Sequence, residues 1–191
     1  MSYGGTTEEV DLEQYPNAKA LVDRCKDFFA EVEDLTPGRD LEAFLNQNYG
    51  PGNPIYEDLC KYVKIGLQEG WCANIEMDGR KYRRSKVKLP SAETRYFSLT
   101  TVYMESQEEY SGQYHKHPYG EINCVVQLDE TAELKGMQGW QKAGWTSPGP
   151  GTHHYPQVRH LADCEEGMLT DTGTEWSFSG LLLPTCRQNQ L

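Results

Sequence analysis

A change of hydrophobic period near residue 71 does more than any other feature to limit the folds open to this chain. Before it, apolar residues recur at helical spacing. Ala20, Leu21, Cys25, Phe28, Phe29 and Val32 form one stripe, Asn17 stands where an N-cap belongs, and Thr36-Pro37-Gly38 closes the element. A second helix is predicted over 41–48. A third runs through Tyr56, Leu59, Cys60, Val63 and Leu67, between the turn cluster at 49–54 and Gly70. From Trp71 onward the texture becomes that of strands, predicted over 82–89, 95–105, 113–117, 121–128 and 132–137, with Gly, Pro and Asp-Glu turns between them. Helical spacing does not return between these strands, which argues against parallel βαβ units and for an antiparallel barrel or sandwich. The chain therefore divides into an N-terminal arm (1–16) expected to be mobile, a helical extension (17–70) and a barrel (71–191).

Size and charge narrow the function. A chain of 191 residues fits one domain, or one domain with an appended helical segment. Its 29 acidic and 18 basic residues give a net charge of −11, which argues against a nucleic-acid partner because phosphate binding needs a basic face. The longest apolar runs, such as Leu181-Leu182-Leu183, are far too short to span a membrane. Met1-Ser2-Tyr3-Gly4-Gly5 lacks the character of a signal peptide, so a cytoplasmic location is expected. None of the six cysteines forms a Cys-x-x-Cys pair, and they are expected to be reduced, with Cys124 in the core.

All five histidines fall between residues 115 and 160, four of them in two short clusters, His115-Lys116-His117-Pro118-Tyr119-Gly120-Glu121 and Gly151-Thr152-His153-His154. Even steps along a strand put His115, His117 and Glu121 on one face. A hairpin-connected strand returning His154 beside them completes an N3O donor set, suited to Fe, Mn, Ni or Zn rather than Ca or Mg. His153 is the alternative ligand, since neighbours on a strand face opposite ways. No cysteine joins the cluster, and an open, histidine-rich set favours catalysis over a structural metal.

The pattern His115-x-His117-x3-Glu121, followed by Gly151-x-x-His154, resembles the two metal-binding motifs of the cupin superfamily over about residues 95–160. The fold this implies is mainly β, a cupin-like antiparallel β-barrel (double-stranded β-helix) with an N-terminal α-helical extension. The longer run 114–123, the helical preface and Pro148-Gly149-Pro150-Gly151-Thr152-His153-His154 resemble a narrower group, the 4-hydroxylaminobenzoate lyases of bacterial nitrobenzoate degradation. The resemblance implies His115, His117, Glu121 and His154 as metal ligands, and a homodimer formed through an edge strand. Residues 161–191 depart from the cupin pattern, and only 178–183 there could supply a closing strand.

The reaction so implied converts 4-hydroxylaminobenzoate and water into 3,4-dihydroxybenzoate (protocatechuate) and ammonia. It involves no net redox change and needs no nicotinamide or flavin. A divalent transition metal would act as Lewis acid on the hydroxylamine oxygen and lower the pKa of a bound water. Glu121 serves as ligand or as general acid and base, with His153 the next candidate for proton transfer and Tyr103 a third catalytic candidate. The small aromatic carboxylate substrate needs partners for its ring and its charge. Tyr114, Tyr119 and Trp145 are the chosen ring contacts, with Trp140 and Tyr155 also flanking the motifs. Arg83, Arg84, Arg95 and Arg159 are the available guanidinium groups, and Arg95 is preferred because it shares strand parity with Tyr103. The rival readings are an Fe(II) dioxygenase of a catechol- or aminophenol-like substrate and a non-catalytic barrel that binds metal or ligand.

Overall fold

The computed structural model describes residues 8–105, 109–160 and 177–184, of which His160 and 177–184 are described by backbone alone. Three helices come first: α1 (Pro16–Val32), α2 (Arg39–Tyr49) and α3 (Pro54–Glu69). Pro16 occupies the first turn of α1 and Tyr15 the cap position, where its side chain makes no capping bond. Asn17 is thus inside the helix rather than at its cap, and its Nδ2 donates to Glu69 Oε1 at 2.6 Å. At α3 the cap is Asn53, whose side chain accepts from the Ile55 N–H at 2.8 Å, with Pro54 at the first helical position. Gly70, left-handed at φ 80°, ends that helix.

The strands are β1 (Ile75–Asp78), β2 (Tyr82–Lys88), β3 (Leu99–Glu105), β4 (Tyr110–Ser111), β5 (His115–Lys116), β6 (Glu121–Gln127), β7 (Ala132–Gly136), β8 (Gly139–Gln141), β9 (Gly144–Thr146), β10 (His153–His154), β11 (Gln157–His160) and β12 (Ser177–Pro184). They form a six-stranded sheet in the order β1-β2-β3-β12-β6-β9, a four-stranded sheet β4-β11-β7-β8, and a two-stranded ribbon β10-β5. Every ladder between these strands is antiparallel. The closing strand expected at 178–183 exists, and β12 is inserted between β3 and β6.

Two expectations need correction. The strand predicted over 95–105 begins only at Leu99. Before it the chain makes a single 3-10 turn (Ala92–Thr94) held by a reciprocal Ser91–Thr94 capping box, and leaves through Arg95 and Tyr96 at φ 50° and 63°. Of the arm expected to be mobile over 1–16, residues 1–7 lie outside the described residues, and the rest is in contact with the barrel and helices. The Val10 N–H donates to Lys86 O at 3.0 Å, Glu9 lies 3.7 Å from Lys88 Nζ, and Val10, Leu12 and Tyr15 pack on the core.

The six-stranded sheet is covered on both faces, which explains why β6 is buried at six successive residues, Glu121 to Val126. The helices lie on one face. Phe28 stacks on Trp145 (4.8 Å between ring centroids) and Phe29 on Phe97 (4.4 Å), in a core that includes Leu99, Tyr103, Ile122, Cys124 and Val126. Edge strand β9 is closed off by α2: Asn46 donates to Trp145 O at 2.8 Å and accepts from the Trp145 N–H at 2.9 Å, satisfying the backbone as another strand would. On the other face the four-stranded sheet packs, and Tyr82, Val102, Met104 and Val125 meet Ala132 and Val158. The four described cysteines, Cys25, Cys60, Cys72 and Cys124, are buried free thiols.

Candidate metal and substrate site

His115, His117 and Glu121 do not share one strand as their spacing suggested. His115 is on β5, His117 follows it, and Glu121 opens β6 beyond a turn. The turn closes tightly: the His117 N–H donates to Thr152 O (2.8 Å), the Gly151 N–H to His117 O (2.7 Å) and the Glu121 N–H to Pro148 O (2.9 Å). Gly120 is required there, because it sits at φ +86° and a Cβ on it would lie 2.6 Å from Pro37 Cβ. Helix α2 secures the same turn. Glu42 accepts from the Ser147 N–H at 2.9 Å, and Ser147 Oγ donates to Glu121 O at 3.1 Å while accepting from the Gly38 N–H at 3.2 Å.

Strand β10 returns beside β5 with His154 directly opposite His115 and His153 opposite Lys116. The imidazoles of His115, His117 and His154 converge, with centroids 4.7 to 5.1 Å apart and one nitrogen from each within 4.8 Å of the others. His153 lies outside this group. It is exposed, with its ring 5.4 Å from that of Tyr114.

The hydrogen bonds of the cluster decide which nitrogens are available. His115 Nδ1 lies 3.0 Å from Gln113 O, and since a carbonyl only accepts, that nitrogen carries a proton and Nε2 is the nitrogen left to face a metal. His117 Nδ1 faces Glu121 Oε2 at 3.4 Å, and its Nε2 is buried without a hydrogen-bond partner among the described residues. Burial, with His115 and His117 close by, lowers the His154 pKa to about 4, so that ring is neutral at neutral pH. Three convergent imidazoles, one of them with an orphaned buried nitrogen, fit a transition metal. Glu121 stands beside the group, its carboxylate next to His117 and bordering the cavity.

That cavity lies between the two sheets. Its polar border is His115, His154, Glu121, Asn123 and Thr146, and its apolar border is Val102, Met104, Val125, Leu134 and Pro156. Asn123 Nδ2 donates to Thr146 Oγ1 at 3.0 Å, whereas its Oδ1 is buried and unpaired among the described residues. Neither Asn123 nor Thr146 stood out in the sequence, because polar residues in a strand carry no mark of facing inward.

Other expected contacts lie elsewhere. Trp145 is fully buried against Phe28 on the helix side of the sheet, and its Nε1 donates to Tyr49 O at 2.7 Å. Tyr103 belongs to that same helix-side core, with Arg83 stacked 4.2 Å over its ring and its hydroxyl donating to Glu105 Oε2 at 3.0 Å. Arg95, in its left-handed turn, pairs with Glu33 at the end of α1. Arg159 bonds Glu133 at 2.7 and 2.9 Å and lies over Trp140. Tyr119 is exposed. Tyr114, also exposed, borders a cleft beside His115 and contacts the Tyr155 ring. Arg84 borders the same cleft.

An antiparallel double-stranded β fold that gathers imidazoles from its strands around an interior cavity defines a cupin-type protein. Within that class, the family model described as PnbB, 4-hydroxylaminobenzoate lyase, matches residues 23–164. A 4-hydroxylaminobenzoate lyase of Nocardioides sp. (strain LMS-CY) is 54% identical over 139 residues, covering 73% of this chain and 82% of its own. One of Pseudomonas putida is 49% identical over 150 residues, covering 74% and 85%. The chain belongs to the 4-hydroxylaminobenzoate lyase family. Among solved structures, the DMSP lyase DddQ from Ruegeria pomeroyi DSS-3 aligns over 93% of this chain and 95% of its own, at 14% identity and a TM-score of 0.41. Among the described residues, no helix is long and apolar enough to cross a membrane.

Proposed function

We propose that this protein is a 4-hydroxylaminobenzoate lyase, converting 4-hydroxylaminobenzoate and water to 3,4-dihydroxybenzoate and ammonia, with His115, His117 and His154 holding a divalent transition metal. The observation that carries the site assignment is the unpartnered, buried His117 Nε2 within a group of three convergent imidazoles. The reaction assignment is supported by relatives about half identical over most of the chain.

A bound divalent metal supplies Lewis acidity toward the hydroxylamine oxygen. The residues do the rest. Tyr82 and Val102, which border both the cavity and the cleft beside His115 and Glu121, flank the ring. Asn123 Oδ1, an acceptor without a donor, takes an N–H or O–H of the hydroxylamino group and fixes its orientation. Glu121 has two parts: its charge holds the His117 ring with Nδ1 toward the carboxylate, and its border on the cavity lets it move protons as the N–O bond breaks, water adds to the ring and the imine hydrolyses. His153, outside the imidazole group, has no part in this scheme.

The test is anaerobic incubation with 4-hydroxylaminobenzoate, assaying ammonia and 3,4-dihydroxybenzoate together, with and without a chelator. Equimolar products without oxygen, lost on chelation and restored by metal, are expected. Turnover that requires oxygen would replace the lyase with a dioxygenase. Full turnover after complete metal removal would leave the lyase standing and remove the metal from it.

A further inference from the structure

We propose that Arg84 is the carboxylate anchor of the site and the residue that makes it select an acid; this rests on the substrate reading above. Arg84 lies on β2 two residues from Tyr82, and its partner across the ladder is Val102. Tyr82 and Val102 both border the cavity between the sheets, so strand parity turns Arg84 inward as well. Its cleft is shared with His115 and Glu121, the residues next to which the hydroxylamino end would react. That cleft has a volume of about 240 Å³, below the ~300–1,000 Å³ of drug-sized ligand sites and suited to a single-ring molecule.

The neighbouring cations are already engaged. Arg83 is on the opposite face, stacked over Tyr103. Arg159 is bonded to Glu133, and Arg95 to Glu33. Lys135, the other cation bordering the cavity, is exposed, with its Nζ 5.5 Å over the Trp140 ring. Arg84 makes no ion pair among the described residues. Burial raises the pKa of the Tyr82 hydroxyl, while Arg84 lowers it and Glu121 raises it, so both charges lie within electrostatic reach of one point on the cavity wall. In a chain with net charge −11, and with Glu121 in the same cleft, a substrate carboxylate needs a local guanidinium to enter. The fork of donors on Arg84 matches a carboxylate in two parallel hydrogen bonds.

Binding of 4-hydroxybenzoate and of uncharged 4-hydroxybenzamide is measured by calorimetry on the metal-loaded wild type, Arg84→Met, Arg84→Lys and Lys135→Met, with thermal melts confirming that each variant is folded. Arg84→Met is expected to weaken the acid by roughly 10- to 100-fold and leave the amide within about twofold. Arg84→Lys is expected to recover part of the preference, and Lys135→Met to keep it. In turnover, Arg84→Met should raise KM far more than it lowers kcat. Equal losses for acid and amide, loss of the preference in Lys135→Met instead, or failure of the wild type to bind 4-hydroxybenzoate would each overturn the assignment. A wild type that binds the acid through Arg84 yet releases no ammonia from 4-hydroxylaminobenzoate would sink the lyase reading and support the anchor.

Discussion

On one side of β6, Ile122, Cys124 and Val126 disappear into a core shared with three helices; on the other, Glu121, Asn123 and Val125 border a cavity that holds the imidazoles. The two faces use one backbone and alternate residue by residue, but they solve different problems. The helix side is closed by ring stacking and by side chains that satisfy backbone groups at the β6–β9 end of the sheet: Asn46 on β9, and the Tyr56 hydroxyl, which donates to Val125 O at 2.6 Å and accepts from the Gly144 N–H at 2.8 Å. Among the described residues, the cavity side leaves His117 Nε2 and Asn123 Oδ1 without partners, each at a cost of about 1–3 kcal/mol. Arg24 Nε and Arg83 Nε, on the helix side, are also buried without a hydrogen-bond partner among these residues, so what sets the cavity face apart is that its two orphaned atoms stand at a group of imidazoles beside open space.

The contrast can be broken from either side. The largest effect is expected on the cavity face: His117→Ala should cut ammonia release by ~100-fold or more, beyond what loss of a supporting outer residue does, and should lower the metal content found by elemental analysis. Activity within tenfold of wild type would mean that the cluster is not the reacting centre. On the helix face, Trp145→Ala should cost about 3–5 kcal/mol in urea unfolding, because it empties a fully buried indole site, while KM of the protein that remains folded stays near wild type. A selective rise in KM without a stability loss would return Trp145 to the substrate site.

Gly120→Ala probes the turn that joins the faces. The left-handed φ and the contact with Pro37 should cost about 1–3 kcal/mol, and because Glu121 is the next residue, turnover should fall as well. An unchanged melt would show that the turn relaxes freely.

The smallest effect is expected from Glu42→Gln, read as a function of pH. Burial raises the Glu42 pKa in the folded protein, although the hydrogen bond from the Ser147 backbone opposes this. The folded state therefore holds the proton more tightly than the unfolded one. The contribution of Glu42 to stability is fully present below the unfolded pKa of about 4.3 and is lost as pH rises from there through the raised folded value. Glutamine keeps an acceptor for the Ser147 N–H and does not ionise, so unfolding midpoints should shift in favour of the variant between pH 4 and neutrality. A constant difference across that range would show that Glu42 does not titrate abnormally.

Much of the fold was legible. Helices α2 and α3 lie where the apolar spacing put them, because an amphipathic stripe carries its own period and Pro54 and Gly70 act locally. Strands β2, β6 and β7 match the alternation within a residue or two. Strands β9 and β10, of three and two residues, were not legible, since so short a run has no measurable period. The start of β3 was misplaced because Arg95 and Tyr96 take up a left-handed turn that their side chains do not announce.

The sequence by itself determined the set of reactive groups: imidazoles crowded into one stretch, a glutamate close behind, and a strand-rich frame to carry them. The tertiary structure alone decided which of them meet. His154 and not His153 joins the cluster because β10 pairs with β5 in a register that sets His154 against His115. Arg84 and not Arg95 borders the cleft beside His115 and Glu121, and Trp145 and Tyr103 turn away to the helix side, because parity tells which residues share a face but not which face is enclosed. Enclosure comes from what packs on each side, here helices on one and a second sheet on the other, and those are contacts between distant parts of the chain.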